Sequence, residues 1–268
     1  MNSKRFSDQT VASNPSLSRR SWLTLGLGAA TAVLMPRALG AAAGSRRVVV
    51  WAEGTAPEDK VYPQDVNTAM ADGLRKYLKG GKVETAGISD PEQGCSEASL
   101  KACDVLIWWG HKRHGDVKSE HVDRVVRRVK EEGMGFISVH SSHFARPNRK
   151  LMGTACSWGA YECDGCKLNV KVKLADHPIG KGVKDFTLPQ IERYSEPYAV
   201  PEPEAVPIEG TYVYPNGKEE KVRVGLCWTV GKGRMFYFLP GHETYRDLYF
   251  DEVHRILSNA VEWAAPRV

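Results

Sequence analysis

Five of the eight histidines in this 268-residue chain stand just after apolar segments that read as strands. His111 and His114 follow Val105–Gly110, and His140 and His143 follow Gly135–Val139. His242, with Glu243 beside it, follows Arg234–Leu239, and Glu53 follows Arg47–Ala52. Taken singly, each histidine reads as a hydrogen-bonded structural residue; five together at strand ends point to a site. Neutral imidazole is the commonest protein metal ligand. Three His, or two His and a carboxylate, with one open position make a catalytic zinc site. No His-Glu-x-x-His occurs, so the fold must bring distant residues together. On this reading His111, His140 and His242 hold a divalent metal such as zinc. Glu243 or Glu53 is the general base, and His143 a catalytic or outer group. A metal so held polarises a carbonyl or activates water near neutral pH. His114, Ser141, Trp109, Tyr194 and Tyr245 are candidate substrate contacts, with Glu192 a further partner for substrate hydroxyls. The remaining histidines (His121, His177 and His254) fall on a helix, a Pro-linked loop and the last helix.

Gly135–His143 reads as a strand, a sharp turn and a helix, the layout of a nucleophile elbow. The elbow residue is His140 or Ser141; no Cys and no flanking Gly stand there. A metal-free hydrolase using Ser141 with His242 is therefore a rival reading, and a carbohydrate-binding protein without catalysis is another. Trp108 and Trp109 alternate faces of one strand. Core packing suits both, although one of them can line a sugar site. The Pro-bracketed segment 196–204 reads as a surface connection, with a lid as its alternative.

The elements that must position these residues form a βαβαβαβ pattern. Buried apolar runs (47–54, 83–88, 104–110, 135–139) alternate with helical spacing at 66–79, 97–103, 119–133 and 148–152. That pattern predicts an α/β fold, an open parallel sheet with helices on both faces. From about 165 to 240 short strands and turns take over: 168–174, 208–214, 222–229 and 234–239. Pro215-Asn216-Gly217-Lys218 is a hairpin signal. This is a late antiparallel section, and helix 250–264 closes the chain.

Trp108-Trp109-Gly110-His111, Val139-His140-Ser141-Ser142-His143-Phe144, Leu151-Met152-Gly153-Thr154, His177-Pro178-Ile179 and Pro240-Gly241-His242-Glu243-Thr244-Tyr245 occur in that order. This ordered set resembles the trehalose-utilisation ThuA-like family over about 47 to 265. The resemblance implies a flavodoxin-like fold similar to class I glutamine amidotransferases, without the nucleophilic Cys and so without glutaminase activity. It implies that His242 and Glu243 take the place of that superfamily's His–Glu pair. It also implies a role with trehalose, related disaccharides, glycosides or their keto forms.

The N-terminus carries Arg19-Arg20, a weakly apolar run from Leu23 to Met35, and a small-residue exit ending at Gly40 or Ala43. These are the parts of an export signal, and the paired arginine marks the twin-arginine route. Residues 1–43 are expected to be removed, leaving a periplasmic or secreted domain over 44–268. The apolar run is shorter than the roughly 20 residues that span a bilayer, so no stable membrane anchor is expected. Residues 1–43 hold five basic groups and one acid, so of the formal charge of +5 about +1 remains. That removes the main support for nucleic-acid binding. Composition leaves self-association open. Of six cysteines, Cys163 and Cys166 form one close pair. They read as a loop disulfide or two free thiols, with redox or metal roles as alternatives.

Overall fold

The computed structural model describes residues 45–267; the expected export signal lies outside them. Val48–Ala52 is a continuous apolar run, so its strand needs cover on both faces. It forms β1 (Arg47–Ala52), with β2 (Lys82–Gly87) and β3 (Val105–Trp109) parallel on either side. β4 (Gly135–Val139) lies parallel to β3. Beyond it come β11 (Gly233–Phe238), β10 (Glu219–Val230), β9 (Ala205–Val213), β6 (Lys167–Val172) and β7 (Phe186–Leu188), completing nine strands. β5 (Ala160–Glu162) and β8 (Arg193–Ser195) pair as a separate ribbon.

The expected α/β sheet with a late antiparallel section is present, with one change of partner. The segment at 234–239, read with the antiparallel part, is the fifth parallel strand: β11 runs parallel to β4 and antiparallel to β10. The turn at Gly231, φ 62°, sends the chain back beside β10. Met235, Phe236 and Phe238 then find an apolar partner row on β4 and are buried.

α1 (Val66–Tyr77) packs with α5 (Asp251–Ala264), and α3 (Ser119–Glu132) with α2 (Glu97–Lys101) and α4 (Arg146–Met152). The crossover β1→β2 runs opposite to β2→β3. Right-handed crossovers therefore put α1 and α2 on opposite faces. The reversal opens a crevice at the C-terminal ends of β1 and β3. Ala52, Trp109, Val139 and Phe238 share one row of the sheet, so the segments that follow them emerge along one edge. No helix among the described residues is long and apolar enough to cross a membrane.

The α1–α5 contact is tight enough to test. A Cβ added at Gly73 would lie 2.1 Å from His254 Cδ2, and His254 is held in place by a 2.6 Å bond from Nε2 to the Leu248 carbonyl. Gly73→Ala is expected to destabilise the domain by about 1–3 kcal/mol through overpacking, read from denaturant unfolding.

Candidate functional site

Glu53, buried at the end of β1, accepts from the backbone N–H groups of Lys112 at 2.6 Å and Arg113 at 2.9 Å, and from Thr55 Oγ1 at 2.8 Å. Its carboxylate pins the loop after β3 across the crevice. Those bonds engage both oxygens, so Glu53 positions the loop. Trp109 is fully buried, and its Nε1 donates to the Gly241 carbonyl at 2.9 Å. It fixes the loop after β11 rather than touching a sugar. Trp108 stacks on Trp51 at 3.8 Å, so both tryptophans pack in the core. Gly241 has φ 132°, a conformation open to glycine alone.

These ties bring three imidazoles together. Ring centroids of His111 and His242 lie 5.0 Å apart, His140 and His242 5.3 Å, and His111 and His140 6.4 Å. His111 Nδ1 meets Glu243 Oε1 at 2.6 Å. His140 follows β4 directly, in the left-handed region at φ 54°. That conformation costs a non-glycine residue about 1–2 kcal/mol. Its Nδ1 donates to the Leu239 carbonyl at 2.8 Å, and its Nε2 faces Glu192 Oε2 at 2.8 Å and the Tyr194 hydroxyl at 2.9 Å. The strained elbow residue is therefore His140, not Ser141.

His140 is also not free to bind a metal, since both ring nitrogens are engaged. Glu192 takes its place: one ligand atom each from His111, Glu192 and His242 lies within 4.8 Å of the others. Among the described residues, the donors that converge are two imidazoles and a carboxylate, with His140 bonded to that carboxylate. His111 keeps Nδ1 on Glu243, the arrangement in which a carboxylate orients a ligating ring. His242 Nδ1 meets Thr244 Oγ1 at 2.8 Å and the Thr244 N–H at 3.1 Å. Nδ1 accepts from the Thr244 N–H, which holds the ring in place.

The electrostatics fit a cation site. Burial raises Glu192 and Glu243, but the imidazoles outweigh it. His140 and His242 hold Glu192 at about 2, and His111 and His242 hold Glu243 at about 2. Both are carboxylates at neutral pH. Burial, helped by the neighbouring His140, brings His242 down to about 4, so that ring is neutral. For His111, burial works downward, but the Glu243 bond and charge win and raise it.

The other expected residues divide. Glu243 and Tyr245 reach the site; Tyr245 rests against His242 at 5.6 Å between ring centroids. His143 does not: it lies behind the elbow, its Nδ1 on the His140 carbonyl at 3.0 Å and its ring against Phe144, Tyr194 and Tyr237. Burial lowers it to about 3. Ser141 Oγ bonds the Tyr194 hydroxyl at 2.8 Å, and Tyr194 is itself fully buried. Both support His140 from beneath. His114 sits beside Gly110 with its ring nitrogens buried and unpartnered, and burial lowers its pKa. The segment at 196–204 is a connection, not a lid. Glu196 accepts from Arg223 Nε and Nη2, each at 2.8 Å, and Trp158 stacks on Tyr198 at 4.2 Å.

The trehalose-utilisation model ThuA matches residues 47–264. The chain belongs to the ThuA family. A ThuA-like protein from Bacteroides uniformis has a similar fold, with TM-score 0.59 at 18% identity, covering 83% of this chain and 93% of that one. A GMP synthase protein from Thermoplasma acidophilum gives TM-score 0.49 at 11% identity, over 81% and 93% of the two chains. A glutamine amidotransferase from Thermotoga maritima gives 0.40 at 8%, over 81% and 98%. No curated protein matches the sequence. In this ThuA domain the elbow that follows β4 carries an imidazole.

The sequence marked neither Thr244 nor Asp247 for a role here, and Cys163 only as half of the Cys163–Cys166 pair. Thr244 orients His242. Cys163 places Sγ 3.9 Å from His242 Nε2; Cys163 and Cys166 are free thiols, the first exposed and the second buried. Asp247, fully buried, accepts from the Gly241 N–H at 3.1 Å and so holds the loop bearing His242. No sequence signal set Asp247 apart, between Arg246 and Leu248.

Burial raises Asp247 from 3.8 to about 7. A raised carboxyl pKa makes the folded state prefer the proton. The stability it contributes is present below pH 4 and is lost as pH rises to about 7, by up to about 4 kcal/mol. Asp247→Asn keeps a carbonyl for Gly241 and removes the ionisation. Its melting temperature relative to wild type is expected to be higher at pH 8 than at pH 4.5, measured by thermal unfolding at both.

Proposed function

We propose that this ThuA-family protein is an exported enzyme acting on a disaccharide, glycoside or keto-sugar at a divalent metal site formed by His111, Glu192 and His242. The observation that carries this reading is the convergence of those three donors, with Glu243 buried behind His111 and His140 behind Glu192. A zinc-like ion held there polarises a sugar carbonyl or lowers the pKa of a bound water. Glu243 has one oxygen on His111 and the other without a hydrogen bond, and that second oxygen is the one we assign as base. Glu53, Gly54, Asp65, Asn67, Ser89 and Asp90 line a polar cleft at the end of β1; their hydrogen-bonding groups suit sugar hydroxyls. The Ser141 hydrolase reading is weaker, because the serine hydroxyl bonds a buried tyrosine and not an imidazole.

Elemental analysis of the purified mature chain, with a screen of trehalose, related disaccharides and their keto forms, tests this. About one divalent ion per chain is expected, lost in His242→Ala together with turnover. Glu243→Gln, which loosens His111, is expected to weaken metal affinity about 10–100-fold. A metal-free wild type whose turnover survives His242→Ala would sink the metal reading. Sugar binding with no product formed from any of these sugars would favour a binding protein.

Export rests on the Arg19-Arg20 leader. Replacing both arginines with lysine is expected to leave an unprocessed precursor in the cytoplasm, read by fractionation and mass. Unchanged processing would argue against the twin-arginine route.

A further inference from the structure

We propose that a basic cleft at the far end of the sheet from His111, Glu192 and His242 is a second binding site, for a small soluble anion bearing phosphate groups. The inference stands apart from the metal reading and shares no residue with it.

The cleft lies where the parallel strands begin. Arg234 is the second residue of β11, and the cleft runs from it along the last turns of α5 to the turn at 178–182. Its volume is about 790 Å³, enough for a small molecule. Lys181, Arg234, Arg255 and Arg267 line it, with Glu262 the one carboxylate of the lining. Glu262 is turned to Arg46 at 3.4 Å. None of the four cations is ion-paired with a carboxylate among the described residues. The domain over 44–268 carries a formal charge of about +1, so the cleft is a local concentration and not part of a general basicity.

The cations are held in position. The Arg234 guanidinium lies over the Trp263 ring at 5.3 Å, and its Nη2 donates to the Ala265 carbonyl. A guanidinium has five N–H donors, so most of that fork is left for a ligand. Arg255 lies over the Tyr77 ring at 4.6 Å and beside Gly182, where an added Cβ would stand 3.5 Å from its Nη1. Asn259 Nδ2 donates to the Ile179 and Lys181 carbonyls at 2.9 and 2.8 Å, which ties the turn carrying Lys181 to α5.

Burial, then the charges of Arg267 and Arg46, lower the pKa of Arg234; the guanidinium still keeps its proton. Like charges gathered without a counter-charge repel, and an anion among them relieves that repulsion. The carbonyls at the end of α5 attract a cation. They account for the guanidinium on Ala265 and not for four positive groups. Arginine forks match phosphate oxygens in pairs. Four cations against one carboxylate suit a multiply charged anion.

Calorimetric titration of the purified mature protein with inorganic pyrophosphate at low salt tests this. The proposal expects saturable binding of about one pyrophosphate per chain, weakening as salt is added. Arg234→Gln and Lys181→Gln are each expected to weaken it about 10-fold, the weight of one charge-assisted hydrogen bond. Lys101→Gln removes an exposed positive charge on α2, outside the cleft, and is expected to change nothing. His242→Ala is expected to bind pyrophosphate as wild type does, which separates the cleft from the metal site. Absence of saturable binding, equal loss in Lys101→Gln and the cleft variants, or loss in His242→Ala with binding kept in Arg234→Gln, overturns the proposal. So does binding to phosphatidylglycerol vesicles without binding to pyrophosphate, which would make this face a membrane contact. Lys181 is exposed, so its variant tests the site even where Arg234→Gln perturbs the fold; circular dichroism checks both.

Discussion

Parallel pairing keeps Ala52, Trp109, Val139 and Phe238 in one row of the sheet, and the site depends on that register. These strands are buried on both faces, and a slip of one residue would exchange every side chain between faces. It would also move His140 away from Glu192 and Leu239. Two long ties lock the ends once the row is set. The Glu53 carboxylate holds the loop after β3, and the Trp109 indole holds the loop after β11. Neither residue needs to touch a ligand to decide where the ligands stand.

The centre gathers buried charge, which is unstable without partners. Glu192 and Glu243 are each buried against an imidazole, and each stays ionised because the imidazoles outweigh desolvation. Two carboxylates facing neutral His242 give a pocket of negative potential. That is the setting in which a divalent cation replaces the protons the site would otherwise need. His140 contributes by its strained backbone as well as by its hydrogen bond to Glu192. Its left-handed backbone is maintained by the bond to Leu239 and by His143 on its own carbonyl. The aromatic layer behind it leaves little room to relax.

Much of the fold was legible as local pattern. Buried strands read as unbroken apolar runs, and helices α1, α3 and α5 as apolar residues at helical spacing. Both signals arise from burial of one segment and need no knowledge of its neighbours. The partner of β11 was not legible, because a short apolar strand looks the same beside a parallel or an antiparallel neighbour. The site divides the same way. Post-strand position marked out His111, His140, His242 and Glu243 correctly as neighbours. It could not separate His140, whose nitrogens are both occupied, from Glu192, which sits on the ribbon strand β8 side of the site, 52 residues further on.

The sequence by itself determined the α/β class, the family resemblance, the export-signal reading and the histidine-rich edge, since each is a property of composition or spacing along the chain. Only the tertiary structure decided which atoms of those residues are free. Glu53, Trp109, Ser141 and Tyr194 carry the right chemistry for a site, yet their polar groups are engaged in bonds that hold the loops and the elbow. Thr244 carried no such mark and stands beside His242, as does Cys163. Hydrogen-bond occupancy depends on what lies across a gap in space, and no spacing in the chain encodes it.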